Sequence, residues 1–171
     1  VPGIVHFVAI AKSPHGMDVD PTGKWVTAGG KLQPTATVLN VEKILTAIEQ
    51  KDYEGDFRGI PILTHDKVVE GEVPVGLGPL HTQYDDKGNA YTSLFIDSAV
   101  TKWKLPPWTD AEKQDLTSVV KDKITVHYSI GHLAISGSDT KKPDAKWLVA
   151  LNKLSKGRHI NVGPSQPESS Q

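Results

Sequence analysis

A ten-residue stretch of this chain occurs twice, and the repetition limits the fold more than any other feature. Gly23-Lys24-Trp25-Val26-Thr27-Ala28-Gly29-Gly30-Lys31-Leu32 returns as Ala145-Lys146-Trp147-Leu148-Val149-Ala150-Leu151-Asn152-Lys153-Leu154, with Lys-Trp and Lys-Leu at the same spacing. A looser copy runs from Asp86 to Phe95 through Gly88, Tyr91 and Leu94. Each copy is a polar turn followed by a strand rich in aromatic and apolar residues. Repeated supersecondary units stack on one another to bury a shared core, the pattern of solenoids and propellers. The copies begin about 65 and 57 residues apart, wider than the roughly 40–50 of common propeller blades. Insertions account for the excess.

Two insertions are predicted as helices. One covers about 41–50, with Asn40 as N-cap and Val41, Ile44, Leu45 and Ile48 on one face. The other covers about 109–120 and opens with the capping box Thr109-Asp110-Ala111-Glu112, just after Pro106-Pro107. Strands are predicted near 4–11, 15–19, 25–29, 35–40, 77–84, 90–96, 99–104, 124–130 and 147–152. Many short strands, turn signals and a repeat make this an all-β chain: an incomplete propeller of about three blades with short helical insertions, too few to close a ring.

Composition removes several function classes. The chain has 37% apolar and 23% charged residues, as in an ordinary globular protein, and a net charge of -1 without a Lys/Arg-dense run. A phosphate-tracking surface needs a basic stripe, so nucleic acid is not expected as a partner. No run reaches the length of a membrane span. With no cysteine, disulfides and thiolate metal sites are excluded within the segment. The start at Val1-Pro2-Gly3 and the polar Pro/Ser tail ending at Gln171 read as cut from something longer. The absent targeting sequence is therefore no sign of the cytoplasm.

Three of the seven histidines hold equivalent places in the repeat. His15 precedes the first Gly-Lys-Trp, His81 precedes Gly88 in the same way, and His132 stands ahead of the third copy behind a longer insert. Blades are related by rotation about a channel, so equivalent positions at its rim converge on one point. Three imidazoles with no cysteine nearby suit copper or zinc. The same spacing also fits three hydrogen-bonded structural histidines. Of the others, His6 is predicted to lie in an apolar core strand, His127 on a solvated face, and His65 beside Asp66 in a loop; nothing singles out His159.

Long ordered blocks carry a resemblance to a known family. Lys12-Ser13-Pro14-His15-Gly16, the Asp20-Pro21-Thr22-Gly23-Lys24 turn, Gly30-Lys31-Leu32 and Pro34-Thr35 form one. Gly76-Leu77-Gly78-Pro79-Leu80-His81-Thr82, Gly88-Asn89-Ala90-Tyr91-Thr92 and Leu94-Phe95-Ile96-Asp97-Ser98 form a second, and Trp147-Leu148-Val149 with Asn152-Lys153-Leu154-Ser155-Lys156, Arg158 and Val162-Gly163-Pro164 a third. Together they resemble nitrous-oxide reductase. The resemblance implies a seven-bladed propeller, with residues 1–163 as part of it and 164–171 as the start of a linker towards a missing cupredoxin domain. It implies a four-copper sulfide cluster on the propeller axis, with His15, His81 and His132 as ligands and Lys102 of Thr101-Lys102-Trp103 beside it. It further implies nitrous oxide as substrate, cytochrome c or a small copper protein as electron donor, a homodimer and a periplasmic location. Dinuclear copper and calcium fall outside this segment.

Members of the family often carry a second histidine two residues after the ligand, where this chain has Ala134, and an aromatic where it has His159. Both departures, with the long insert around 54–74, resemble a divergent branch exported unfolded. Neither removes a cluster ligand, and His159 is not assigned as one. Two other readings remain at this stage: a zinc hydrolase with three histidines and an open water position, and a non-catalytic propeller used as a binding platform.

Overall fold

The computed structural model describes residues 3–138 and 140–153, and the backbone of 169–170. The first sheet begins with β1 (Pro14–Val19), β2 (Trp25–Gly30) and β3 (Ala36–Asn40), joined by tight turns. The chain then leaves through α1 (Val41–Gln50), the hairpin β4 (Tyr53–Phe57) and β5 (Ile60–Leu63), and the single turn α2 (His65–Val68). It returns as β6 (Val69–Val73), which completes an antiparallel sheet of order β1-β2-β3-β6.

The second sheet, β7-β8-β9-β10, repeats the plan with β7 (Pro79–Tyr84), β8 (Asn89–Leu94) and β9 (Ala99–Lys104). Its insertion is α3 (Asp110–Gln114) and a 3-10 turn over Leu116–Val119, leading into β10 (Val120–Thr125). The third sheet has β11 (Ile130–Ile135), β12 (Leu148–Asn152) and the short β13 (Ser169–Ser170). The result is mostly antiparallel β-structure that does not close on itself, as predicted for part of a propeller. Among the described residues no helix is long and apolar enough to cross a membrane.

Adjacent sheets bury their facing sides. Ala36, Val38 and Val73 of the first meet Leu94, Ala99 and Trp103 of the second, and Trp108 and Val119 from its insertion join this core. A smaller core of Val100, Ile130, Leu133 and Ala150 joins the second sheet to the third. Trp103 is fully buried, and its indole Nε1 donates to Thr92 Oγ1 at 2.9 Å, so no polar atom of the ring is stranded. Trp25 packs against the first core, whereas Trp147, its counterpart in the third copy, is 76% exposed. Among the described residues the only sheet besides these three is the β4-β5 hairpin, which belongs to the first insertion.

The inner hairpins owe their shape to one aspartate each. Asp20 accepts from the backbone N–H of Thr22, Lys24 and Trp25 at 2.9–3.0 Å. Asp85 does the same for Lys87 and Asn89 at 2.9 and 2.8 Å. A buried carboxylate that gathers several turn N–H groups fixes the turn and the register of the strands it joins.

The first insertion follows its predicted limits. Asn40 Oδ1 accepts from Lys43 N at 3.1 Å, and Lys51, left-handed at φ 56, ends the helix. Its apolar face is Ile44, Ala47 and Ile48, packed on Leu39, Leu63 and Val68; Leu45, expected on that face, is exposed. The second insertion has the predicted capping box, yet its α-helix stops at Gln114. Asp115 accepts from Thr117 N at 3.0 Å and starts the 3-10 turn instead. Glu70, on β6, pairs with Lys43 of α1 at 2.7 Å and Lys113 of α3 at 3.0 Å, tying both insertions to the first sheet.

Other expectations fail for local reasons. Residues 4–11 form no strand beyond one parallel bridge, Phe7 to Ile62. His6 is accordingly no core residue; it lies partly buried against the Tyr53 ring at 5.8 Å. The expected 124–130 strand is two elements, because Ser129 at φ 61 turns the chain between β10 and β11. His127 in that turn is half-buried rather than solvated, and His65 starts α2 rather than sitting in a loop. His159 lies outside the described residues.

Asp20→Ala should lose the turn bonds and cost about 1–3 kcal/mol in urea unfolding followed by tryptophan fluorescence. Burial would raise Glu70, but Lys43 and Lys113 outweigh it and hold the carboxyl below its ordinary range. Its folded-state pKa thus lies below the unfolded one. The stabilisation is present above the ordinary glutamate range and is lost as pH falls through the depressed value. Glu70→Gln should flatten that acid limb and cost about 1 kcal/mol at neutral pH.

Candidate metal centre

The inner strand β7 lies between β1 and β11, so the three predicted histidines come from three neighbouring strands. The His15 and His81 rings meet edge to face, with centroids 5.2 Å apart and planes at 82°. His81 stacks on His132 at 4.3 Å and 23°. His81 is the middle ring of the group.

Each histidine stands at a break in its strand's pairing. The register slips between His15 and Met17 on β1, between Pro79 and Thr82 on β7, and between Ile130 and Leu133 on β11. A bulge leaves a residue out of the ladder and re-aims its side chain. Three matching bulges therefore turn three side chains to the same edge of the stack. Neighbouring glycines were the available sequence signal: Gly16 follows His15 and Gly131 precedes His132.

These glycines allow close backbone approach. Gly16 has φ +70, and a Cβ there would overlap the Leu80 carbonyl and come within 3.0 Å of His81 Nδ1. A Cβ at Gly29 would lie 2.6 Å from the His15 and Pro79 carbonyl oxygens. Asp18 adds the polar link between the strands: Thr82 N donates to its Oδ2, and Tyr84 OH to its backbone oxygen, both at 2.8 Å.

Burial and neighbouring positive charge disfavour the protonated form of two of these imidazoles. Burial, then the charges of His132, His15 and Lys153, push His81 down to about 4. His15 is lowered by burial, then by Lys153, Lys31 and His132. Asp18 is raised by burial, against the pull of the Thr82 N–H and of His132. A neutral imidazole has a lone pair to offer, and His81 Nε2 is buried with no hydrogen-bond partner among the described residues. A polar atom left so is costly unless something binds it. Still, among the described residues no three His, Cys, Asp or Glu side chains are arranged to hold one metal ion. The rings pack against one another rather than enclosing a single centre.

Lys102 stands apart from this group on β9, two strands out from β7, with its ammonium 5.5 Å from the Tyr91 ring centre. It lines a largely apolar cavity of about 380 Å³ with Val100, Ile124, Val126 and Leu148. The cations acting on the histidines are instead Lys153, on His15 and His81, and Lys31, on His15. Neither was singled out from the sequence, because the proximity arises only when strands distant in the chain meet.

Comparison with known proteins bears on these blocks directly. Residues 123–171 match the nitrous oxide reductase propeller repeat. The nitrous-oxide reductase of Stutzerimonas stutzeri is 41% identical over 165 residues, covering 96% of this chain. That of Ralstonia nicotianae is 39% identical over 166 residues and covers the same share. The chain belongs to the nitrous-oxide reductase propeller family. It spans 24% of the length of each of these two proteins. Hydrazine synthase subunit beta of Kuenenia stuttgartiensis is also related, at 32% identity over 95 residues, covering 52% of this chain and 24% of that protein. The solved Kuenenia stuttgartiensis hydrazine synthase superposes with a TM-score of 0.55 at 15% identity, over 87% of this chain and 32% of that one, a likeness of fold alone.

Within the nitrous-oxide reductase family this segment holds the third predicted block in β12 and beyond; from Leu154 through Pro164 that block lies outside the described residues. In β1, Gly16→Ala should destabilise by about 2 kcal/mol through left-handed strain and overlap with β7. It should also part the His15 and His81 rings, seen as loss of their inter-ring nuclear Overhauser contacts.

Proposed function

We propose that this chain is the part of a nitrous-oxide reductase that lends His15, His81 and His132 to a four-copper sulfide cluster. The observation that carries the reading is the buried, unpartnered Nε2 of His81, between two further imidazoles and in a family whose relatives bear that enzyme's name. Neutral imidazoles suit copper. The packing of three rings without one shared centre suits ligands divided among several ions better than one closed site. A zinc hydrolase needs three nitrogens on one ion, and among the described residues no such group occurs.

The reaction takes nitrous oxide, two electrons and two protons to dinitrogen and water; the N–O bond breaks and the oxygen takes both protons. Bound copper would supply electrons to an inert linear molecule. The chain's own residues hold and shield. The bulges fix where the rings point, and Thr82 with Asp18 fastens β7 to β1, so the imidazoles are set before a metal arrives. The family resemblance implies that Lys102 stabilises negative charge on the departing oxygen and passes it a proton. Its place two strands out from β7, over the Tyr91 ring, does not support that role.

Under this reading residues 1–163 are propeller and 164–171 open a linker to a cupredoxin domain. The resemblance implies that electrons would come from cytochrome c or a small copper protein by way of dinuclear copper in that domain of the partner in a periplasmic homodimer. Calcium is held elsewhere in the whole protein. The isolated segment should not turn over. In the full-length protein, copper with acid-labile sulfide is expected, and His81→Ala should lose most of the copper by elemental analysis. Stoichiometric zinc, or copper retained by the His81, His15 and His132 alanine variants together, would defeat the proposal.

A further inference from the structure

Two outer strand edges of this molecule carry charge of opposite sign and are unpaired among the described residues. The first belongs to the insertion hairpin. Arg58 and Gly59, both at positive φ, make its tight turn, and Phe57 with Ile60 closes it. The next pair is Asp56 with Pro61, which has no N–H to give, so the backbone groups of Asp56 point away from β5. The far edge of β5 is taken by Phe7, whose N–H donates to the Pro61 carbonyl at 2.9 Å and whose carbonyl accepts from Leu63 N at 2.8 Å. Among the described residues nothing pairs with the outer edge of β4, and the whole strand is exposed. Its charged side chains are Glu54 and Asp56. Glu54 accepts from the His65 N–H and Asp56 from the Gly59 N–H, both at 2.9 Å. Among the described residues neither carboxylate is in an ion pair.

The second edge is β10, outermost in the order β10-β9-β8-β7 and exposed from residue 121 to 125. Its cations are Lys121 and Lys123, at the same spacing as Glu54 and Asp56. Lys123 reaches Asp97, whereas Lys121 is in no ion pair among the described residues. Asp122, between the lysines, lines the cavity beside Lys102. The ladder slips between Tyr53 and Gly55 on β4 and between Val120 and Asp122 on β10, which leaves Glu54 and Lys121 out of the pairing.

We propose that β4 of one molecule pairs edge to edge with β10 of a second copy of this chain. An open edge offers unused N–H and C=O groups to any strand that can lie beside it. Charge decides which strand that is. Two β4 edges would set carboxylates against carboxylates, and two β10 edges would set lysines against lysines, each unfavourable across a ladder. Pairing β4 with β10 brings opposite charges together instead. The two surfaces differ, so the contact either closes as a reciprocal pair or continues from molecule to molecule. It rests on the outer strands alone, apart from the histidine group and from the homodimer of the proposed function.

The test is sedimentation velocity of the full-length protein over a range of protein and salt concentrations. The parent should show an association that grows with protein concentration and is weakened by added salt. Lys121→Glu and Glu54→Lys should each weaken that association by about fivefold. An equimolar mixture of the two variants should return to within about twofold of the parent, because the basic β4 of one now faces the acidic β10 of the other. Recovery requires both variants to be folded and these two edges to meet, so it separates a lost contact from a lost fold. A parent without salt-sensitive association overturns the proposal, and so does a dimer indifferent to salt and to both substitutions with nothing larger. A mixture that associates no better than either variant alone also overturns it, leaving the charges as guards against pairing or as the seat of a different partner. The metal-centre reading stands or falls separately, on copper and sulfide.

Discussion

The close approach of β1 and β7 is the constraint on which the rest of the molecule depends. At Gly16 of β1, and at Gly29 of the neighbouring β2, the backbone comes so near β7 that a single methyl group would strike the Pro79–Leu80 peptide. Asp18 then fastens the strands with hydrogen bonds that run between sheets rather than within one. Outward from there the first two sheets share the core around Trp103. Once β7 is fixed against β1, β11 lies along its other side and the third imidazole meets the second.

Burial and charge act together on that meeting point. Burial, the neighbouring rings and the nearby ammonium groups all lower His81 and His15. The middle ring is the most deeply affected because it touches both others and is the most buried. The cost of holding a ring nitrogen without a partner is tolerated because strongly packed strands leave it nowhere to turn.

Much of this was legible in the residues. The duplicated Lys-Trp motif and the placement of His15, His81 and His132 before each copy were enough to anticipate stacked sheets with three histidines on one edge. The Asn40 cap and the Thr109/Glu112 box marked both insertions. The insertion hairpin was not legible: all five residues of β4, Tyr53 to Phe57, are exposed, so no alternation of apolar and polar residues marks it. Leu45 matched the helical period yet faces water, because the surface beneath α1 is only wide enough for Ile44, Ala47 and Ile48. The bulges were hidden because a slip in pairing depends on the partner strand. Lys153 escaped notice for the same reason: its neighbours are set by β7 and β11, far away in the chain.

The detour that supplies β6 bears on how such a sheet assembles. Twenty-eight residues, Val41 to Val68, separate β3 from its outer partner, whereas the second sheet bridges the same gap with fifteen, from Leu105 to Val119. Chain closure grows only logarithmically with length, so doubling the excursion adds roughly 0.6 kcal/mol. Evolution can therefore lengthen a blade's outermost connection at little thermodynamic expense and decorate the rim freely, while the hairpins nearest the axis, where a single methyl group is too much, stay short.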